Sequence, residues 1–336
     1  MTRVAGIVLT LFLTVIACAP SAPAEAPDRP DAPDGSADAA SDDSGSALRW
    51  RTLAPVPTPR TEVTAAARRG EIFVMGGFAE GQGTVDTVEI YDISADSWRT
   101  GPALPLAVNH PMSASVDGVI YVFGGNTGGE ATDRAFAFRR GEWTELPAMP
   151  EVRSAGGAGA VRGKIFIVGG VGPDGLAQNT MVFNLDTRRW SLRKGLPTPR
   201  QHLGAAGARR RVWVVAGRTG GLDTNMDRVE RFSPRHRRWK RVPDIPTARG
   251  GLAAAATRNG FVVAAGGEEP NGTFDEVEAF DIPRGRWRAL PDMPTARHGL
   301  GVVAVGNIIY VLAGGPQPGL TFSAANEAID LTPLRN

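Results

Sequence analysis

The chain has 336 residues, 42% of them hydrophobic and 21% charged, with a formal net charge of +2 and a single cysteine. That length and apolar fraction suffice for a buried core, so the chain is globular, and one cysteine excludes an internal disulfide framework. The first element is an apolar run from Val4 to Ile16 behind Arg3. It is too short to cross a bilayer as a stable helix and has the form of an export signal. From Ala19 to Ala47 the chain is a mixture of Pro, Ala, Ser and Asp with no large apolar residue to offset the entropy of ordering, which predicts a disordered tether. Its seven acids face only Arg29, so this tether is acidic and residues 48–336 carry the basic balance.

Cys18 lies between these two segments, directly after Val15-Ile16-Ala17. This arrangement resembles the lipobox of bacterial lipoproteins, in which the cysteine is lipidated and becomes the mature N-terminus. The resemblance implies that residues 1–18 are a lipoprotein signal peptide and that the product is exported and held to the cell envelope by a lipid anchor at Cys18. Ala19 in the next position resembles the sorting pattern for the outer membrane, so the expected location is the outer membrane facing the periplasm, or the cell surface.

Residues 48–336 are repetitive. The stretch from Trp287 to Arg297, WRALPDMPTAR, has close copies beginning at Trp50, Trp98, Trp143, Trp190 and Trp239. Proline follows each tryptophan by seven residues, and arginine follows five of the six by ten: Arg60, Arg153, Arg200, Arg249 and Arg297, with Val108 breaking the series. Next come small residues and then a short apolar run ending in glycine, as in EIFVMGG, VIYVFGG and KIFIVGG. Such runs suit strands buried on both faces and are too short for helices. An alternating strand then follows, as in TVEIYD, RVERFS and EVEAFD, before the next tryptophan.

Six units with a glycine doublet, a Tyr/Phe-Asp strand end and a tryptophan resemble kelch repeats. That resemblance implies an all-β fold, a six-bladed kelch-type β-propeller over residues 48–336. The sixth unit lacks a closing tryptophan strand, while an unmatched one stands at Trp50. The last blade is therefore expected to be closed by the N-terminal outer strand, three strands plus one. Weak points of the resemblance are Ala216 in place of the first glycine and AFAF, Ala135 to Phe138, without its acid. The tryptophans are expected to pack between blades, and the glycine doublets to mark close backbone approaches.

The arginine-bearing loops lead into the inner strands, which places Arg60, Arg153, Arg200, Arg249 and Arg297 near the central channel. Residues after the doublets, among them Asn126, Arg218, Glu268 and Glu269, belong to the same mouth. In the kelch family this face commonly binds partner proteins, so the resemblance implies a ligand-binding mouth of Arg60, Asn109, His110, Arg153, Arg200, His202, Arg218, Arg249, Arg297 and His298. An arginine-lined mouth suits an acidic protein segment or an anionic glycan. The same arginines equally suit an architectural role, bridging blades through backbone carbonyls.

Three of the four histidines, His110, His202 and His298, fall near the predicted mouth, but no pair has close local spacing, and no metal is expected. No cofactor is expected either. Copper enzymes resembling galactose oxidase need a second-role cysteine, and Cys18 is the lone one. An alternative to a binding module is an enzyme on anionic sugars resembling N-acetylneuraminate epimerase, a mutarotase, with acid and base groups among Glu268, Glu269, His202 and His298. Despite a sequence pI of about 9.0, nucleic acid is not an expected partner, since export removes it and the basic residues are spread over all repeats.

Overall fold

The computed structural model describes residues 48–334; the export signal, Cys18 and the tether lie outside the described residues. The described residues form six four-stranded antiparallel sheets, with short ribbons in the loops between them. In the first sheet the strands are Thr64–Arg68 (inner), Glu71–Met75 (second), Val88–Asp92 (third) and Ser97–Thr100 (outer). The inner strands of the others are Met112–Val116, Gly157–Val161, Gly204–Ala208, Ala253–Ala256 and Gly301–Val305. Each inner strand packs on the next, and the last packs on the first, so the sheets close into a ring as the blades of a β-propeller. The innermost strands are rich in Ala, Gly and Ser because six backbones converge there, and these small residues line the axial channel.

The apolar runs are the second strands, and VIYVF (Val119–Phe123) and FVVAA (Phe261–Ala265) are buried at every position. Each Val or Ile so buried contributes roughly 2 kcal/mol, which makes these strands the main source of sheet-to-sheet adhesion. The tryptophans of the outer strands are half-buried and tie each blade to its predecessor. Trp98 Nε1 donates to Ala54 O at 2.8 Å, Trp143 to Pro102 O at 2.9 Å, Trp190 to Pro147 O at 2.9 Å and Trp287 to Pro243 O at 2.9 Å. The expected inter-blade role of the tryptophans is what the structure shows.

Closure also follows the expectation. Trp50–Thr52 pairs antiparallel with Asn326–Asp330, matching Trp50 with Ile329 and Thr52 with Glu327, and Trp50 Nε1 reaches back to Pro291 O at 2.7 Å. Gly77 shows why a doublet recurs: its φ is +97°, and a Cβ there would stand 2.5 Å from Thr61 O. Ala216 replaces the first glycine of its doublet because that position needs only φ of 53°, a region L residues reach at modest cost. The sixth unit repeats this solution with Ala313 at φ of 56° followed by Gly314 at +100°, so its doublet position lies one residue earlier than the GG pair suggests.

Candidate functional site

Two sets of loops meet at one end of the ring: those joining outer strands to the next inner strands, and those joining second to third strands. They pair with each other through isolated bridges, among them Asn109 with Asn126, Gln201 with Arg218, Gly250 with Glu268 and His298 with Gly315. This is the expected mouth, and Asn109, His110, His202, Arg218 and His298 are found there.

The five arginines are not. Arg60, Arg153, Arg200, Arg249 and Arg297 are each 0% exposed, with their guanidinium groups turned into the blade. Arg60 Nη2 meets Glu89 Oε2 at 2.8 Å, Arg200 Nη1 meets Glu230 Oε2 at 2.6 Å, Arg249 Nη1 meets Glu278 Oε2 at 2.9 Å and Arg297 Nη2 meets Glu327 Oε2 at 2.7 Å. Backbone carbonyls take further donors: Arg60 Nη1 donates to Gly76 O at 2.8 Å and Arg200 Nε to Ala216 O at 2.6 Å. In the third blade Arg153 pairs with Glu151 at 3.2 Å and Asn179 Oδ1 at 3.0 Å. The arginine ring is therefore a set of internal clamps: Arg60, Arg153, Arg200 and Arg297 fasten the entry loop of a blade to its second and third strands, and Arg249 fastens it to the third through its ion pair with Glu278. The expectation that these residues line the ligand site is corrected on that ground.

Val108 belongs to the same pattern. The third-strand acid faces the second strand in a fixed register, Val74 with Glu89 and Val214 with Glu230, and in the second blade that register brings Val122 opposite Phe136. In this blade both positions of the buried ion pair, Val108 for arginine and Phe136 for glutamate, are taken by buried apolar residues.

The residue two places beyond each arginine position does face the axis. Glu62, His110, Ala155, His202, Gly251 and Gly299 all have positive φ, between 50° and 74°. Their backbones join in a ring: His110 N to Glu62 O at 2.9 Å, Ala155 N to His110 O at 3.1 Å, His202 N to Ala155 O at 2.8 Å, Gly251 N to His202 O and Gly299 N to Gly251 O, both at 2.9 Å, and Val63 N to Gly299 O at 3.2 Å. Non-glycine residues in this region carry strain, so four of them in one ring are held there by the surrounding structure.

Side chains from this ring and its bridging loops make a polar floor beside an axial cavity of about 130 Å³. His110 Nε2 lies 3.1 Å from Glu62 Oε2. His298 Nε2 lies 3.7 Å from Glu62 Oε1 and 3.6 Å from Glu268 Oε2, while Arg218 Nη1 binds Glu268 Oε1 at 2.8 Å. The His110 and His202 rings meet edge-on with centroids 5.0 Å apart. Burial raises the Glu62 carboxyl to about 7, and His298, Glu268 and Arg218 modulate it. Burial, with the Arg218 charge, lowers His110 to about 4, and burial together with His110 and Arg218 holds His202 well below the usual imidazole range. Two groups among the described residues offer convergent metal-ligand atoms, Glu62 with His110 and His202, and Glu62 with Glu268 and His298. No metal was expected from the sequence, since the histidines are far apart in it. Glu62 was missed altogether, although aligning the repeats on their arginines puts it in the same column as His110 and His202.

The charge of the mouth also differs in sign from the expectation. Five of the six loops between second and third strands carry an exposed acid: Glu80, Glu130, Asp174, Asp223 and Glu269. The sixth presents Leu320, 65% exposed. The exposed arginines crowd the opposite face, where the strand-to-strand turns place Arg69, Arg140, Arg162, Arg188, Arg209 and Arg237. An acidic segment or anionic glycan at an arginine-lined mouth thus loses its physical basis.

Residues 116–315 match the KLHDC2/KLHL20/DRC7 Kelch-repeats domain, and residues 59–105 match the Kelch motif. The chain is 32% identical over 241 residues to Kelch-like protein terF of Aspergillus terreus, covering 65% of this chain and 52% of that protein. It is 30% identical over 174 residues to Kelch-like protein 41a of Danio rerio, covering 51% of this chain and 29% of the relative. Beta-scruin of Limulus polyphemus is 28% identical over 138 residues, 38% of this chain and 14% of that protein. The chain thus spans about half the length of the first of these relatives and under a third of the second.

Proposed function

The chain belongs to the kelch-repeat family, and from that premise we propose that it is an envelope-anchored protein-interaction module whose mouth takes a basic segment of a partner. The ring of exposed acids, Glu80, Glu130, Asp174, Asp223 and Glu269, is the observation that carries this reading. They sit at the tips of dissimilar loops on a repeated scaffold, the arrangement in which a rigid fold presents a variable recognition surface. Leu320 beside them supplies an apolar contact for a partner side chain.

The outer strand Trp50–Thr52 runs from the basic face towards the mouth. The exposed arginines of that face suit contact with anionic headgroups. The anionic-sugar enzyme is the weaker reading, because the arginines needed for a sugar carboxylate are buried and Arg218 is already paired with Glu268.

The test is binding of a labelled lysine-rich peptide to the wild type and to a triple variant, Glu80→Lys, Asp174→Lys and Glu269→Lys, across a salt series. Three exposed charges at about 0.5 kcal/mol each predict a loss of about tenfold, fading as salt rises. Equal affinity for both proteins would move the site elsewhere.

A further inference from the structure

The floor of the channel holds chemistry that a protein-binding rim does not use. We propose that Glu62, His110 and His202 form a site for a divalent transition-metal ion of the zinc class on the propeller axis, with a coordination position open to the channel.

The donor atoms of these three side chains lie within 4.8 Å of one another. A tetrahedral zinc with nitrogen and oxygen ligands needs donors about 3.4 Å apart, so side-chain adjustments of roughly 1 Å close the site. Two imidazoles and one carboxylate select zinc and its first-row neighbours over calcium and magnesium, which prefer oxygen throughout.

Tautomers decide the matter further. His110 Nδ1 lies 2.6 Å from Asn109 Oδ1, and Asn109 Nδ2 donates to Thr84 Oγ1 at 2.7 Å. With Asn109 Oδ1 as the acceptor, the proton sits on Nδ1 and Nε2 carries a lone pair. His298 Nδ1 faces Gly315 O at 3.1 Å, a carbonyl that only accepts, and His202 Nδ1 faces Gln201 Oε1 at 3.2 Å. All three rings therefore hold Nδ1 with an oxygen acceptor and turn Nε2 away from it, the support that metal-ligating histidines receive. Between His110 Nε2 and Glu62 Oε2 the consequence is two acceptors 3.1 Å apart, a gap that needs a proton or a cation.

Glu62 offers its other oxygen to His298, while Glu268 is bound by Arg218 and so acts as support for the floor rather than as a ligand. The strained backbone fits this assignment, since Glu62, His110 and His202 are three of the four non-glycine residues forced to positive φ in the ring, each at a cost of order 1 kcal/mol. The axial cavity of about 130 Å³ that touches all three residues gives an ion a path and leaves space for water or a ligand atom in the open position.

The experiment uses untagged protein stripped with a chelator and titrated with Zn²⁺ against a chromophoric competitor. The expected result is a single equivalent bound with a rise in melting temperature. Glu62→Gln and His202→Ala are expected to lose about 100-fold in affinity. Asn109→Ala, which removes the acceptor behind His110 along with the Thr84 and Asn126 contacts, loses about tenfold, and His236→Ala on the opposite face loses nothing. X-ray absorption on the zinc-loaded wild type, which does not depend on any variant folding, should show imidazole scattering from two histidines. Failure of the wild type to bind more tightly than His202→Ala, or a zinc environment without imidazole, overturns the site and leaves a shared proton between His110 and Glu62.

Discussion

Replacing Arg200 by methionine tests whether the arginine ring holds the propeller together. Arg200 is 0% exposed and donates to Glu230 at 2.6 Å, Ala216 O at 2.6 Å, Thr198 O at 2.9 Å and Arg228 O at 3.1 Å. Methionine fills much of the volume but leaves Glu230, itself 2% exposed, as a buried charge without its partner. Breaking a buried pair from one side costs about 3–5 kcal/mol, and at roughly 2–4 °C per kcal/mol for a domain of this size the melting temperature should drop by about 10 °C. Adding Glu230→Met to the same protein should recover most of that loss, because two apolar side chains replace the pair. The second blade already has buried apolar residues at both positions, Val108 and Phe136. Urea denaturation followed by tryptophan fluorescence on the four proteins of the cycle measures the coupling. A cost under about 1 kcal/mol for Arg200→Met, or a double variant as unstable as the sum of the singles, refutes the clamp.

Deleting Leu48 to Leu53 removes the strand that pairs with Asn326–Asp330 and should lower both the melting temperature and its cooperativity, measured by calorimetry. In chelator-treated protein, His110 is depressed to about 4 from an unfolded value near 6.5, so its contribution is present above pH 6.5 and lost as pH falls towards 4. Glu62 is raised to about 7, so its contribution is present below pH 4.5 and lost as pH rises through 7. From these two groups, metal-free stability should be nearly flat between about pH 4.5 and 6.5 and fall on either side, and Glu62→Gln should raise the melting temperature at pH 8 but change it little at pH 4; equal shifts at both pH values count against buried ionisation. Cys18→Ser should abolish incorporation of radiolabelled palmitate and release the protein from membranes, and a labelled or membrane-bound serine variant would exclude anchoring at this residue.

Strand order, the six repeats, closure at Trp50 and the tryptophan ties are legible in the sequence because each is a local pattern recurring at a fixed period. Burial of a second strand such as EIFVM follows from its own composition, and the missing tryptophan after Asp330 announces its substitute at the front. The direction of Arg60, Arg200, Arg249 and Arg297 is of another kind, since arginine serves a ligand or a carbonyl equally well. Only the register of third strand on second strand, which puts a glutamate 29 or 30 residues away beside each guanidinium, turns them inward. The sign of the mouth likewise depends on which charges are buried as pairs and which loops share a face. Convergence of Glu62, His110 and His202 is also tertiary, because it arises from closing a ring that brings the first, second and fourth blades to one axis. Periodicity in the chain determined the scaffold; the three-dimensional closure alone decided which of its polar side chains face a ligand and which hold the blades together.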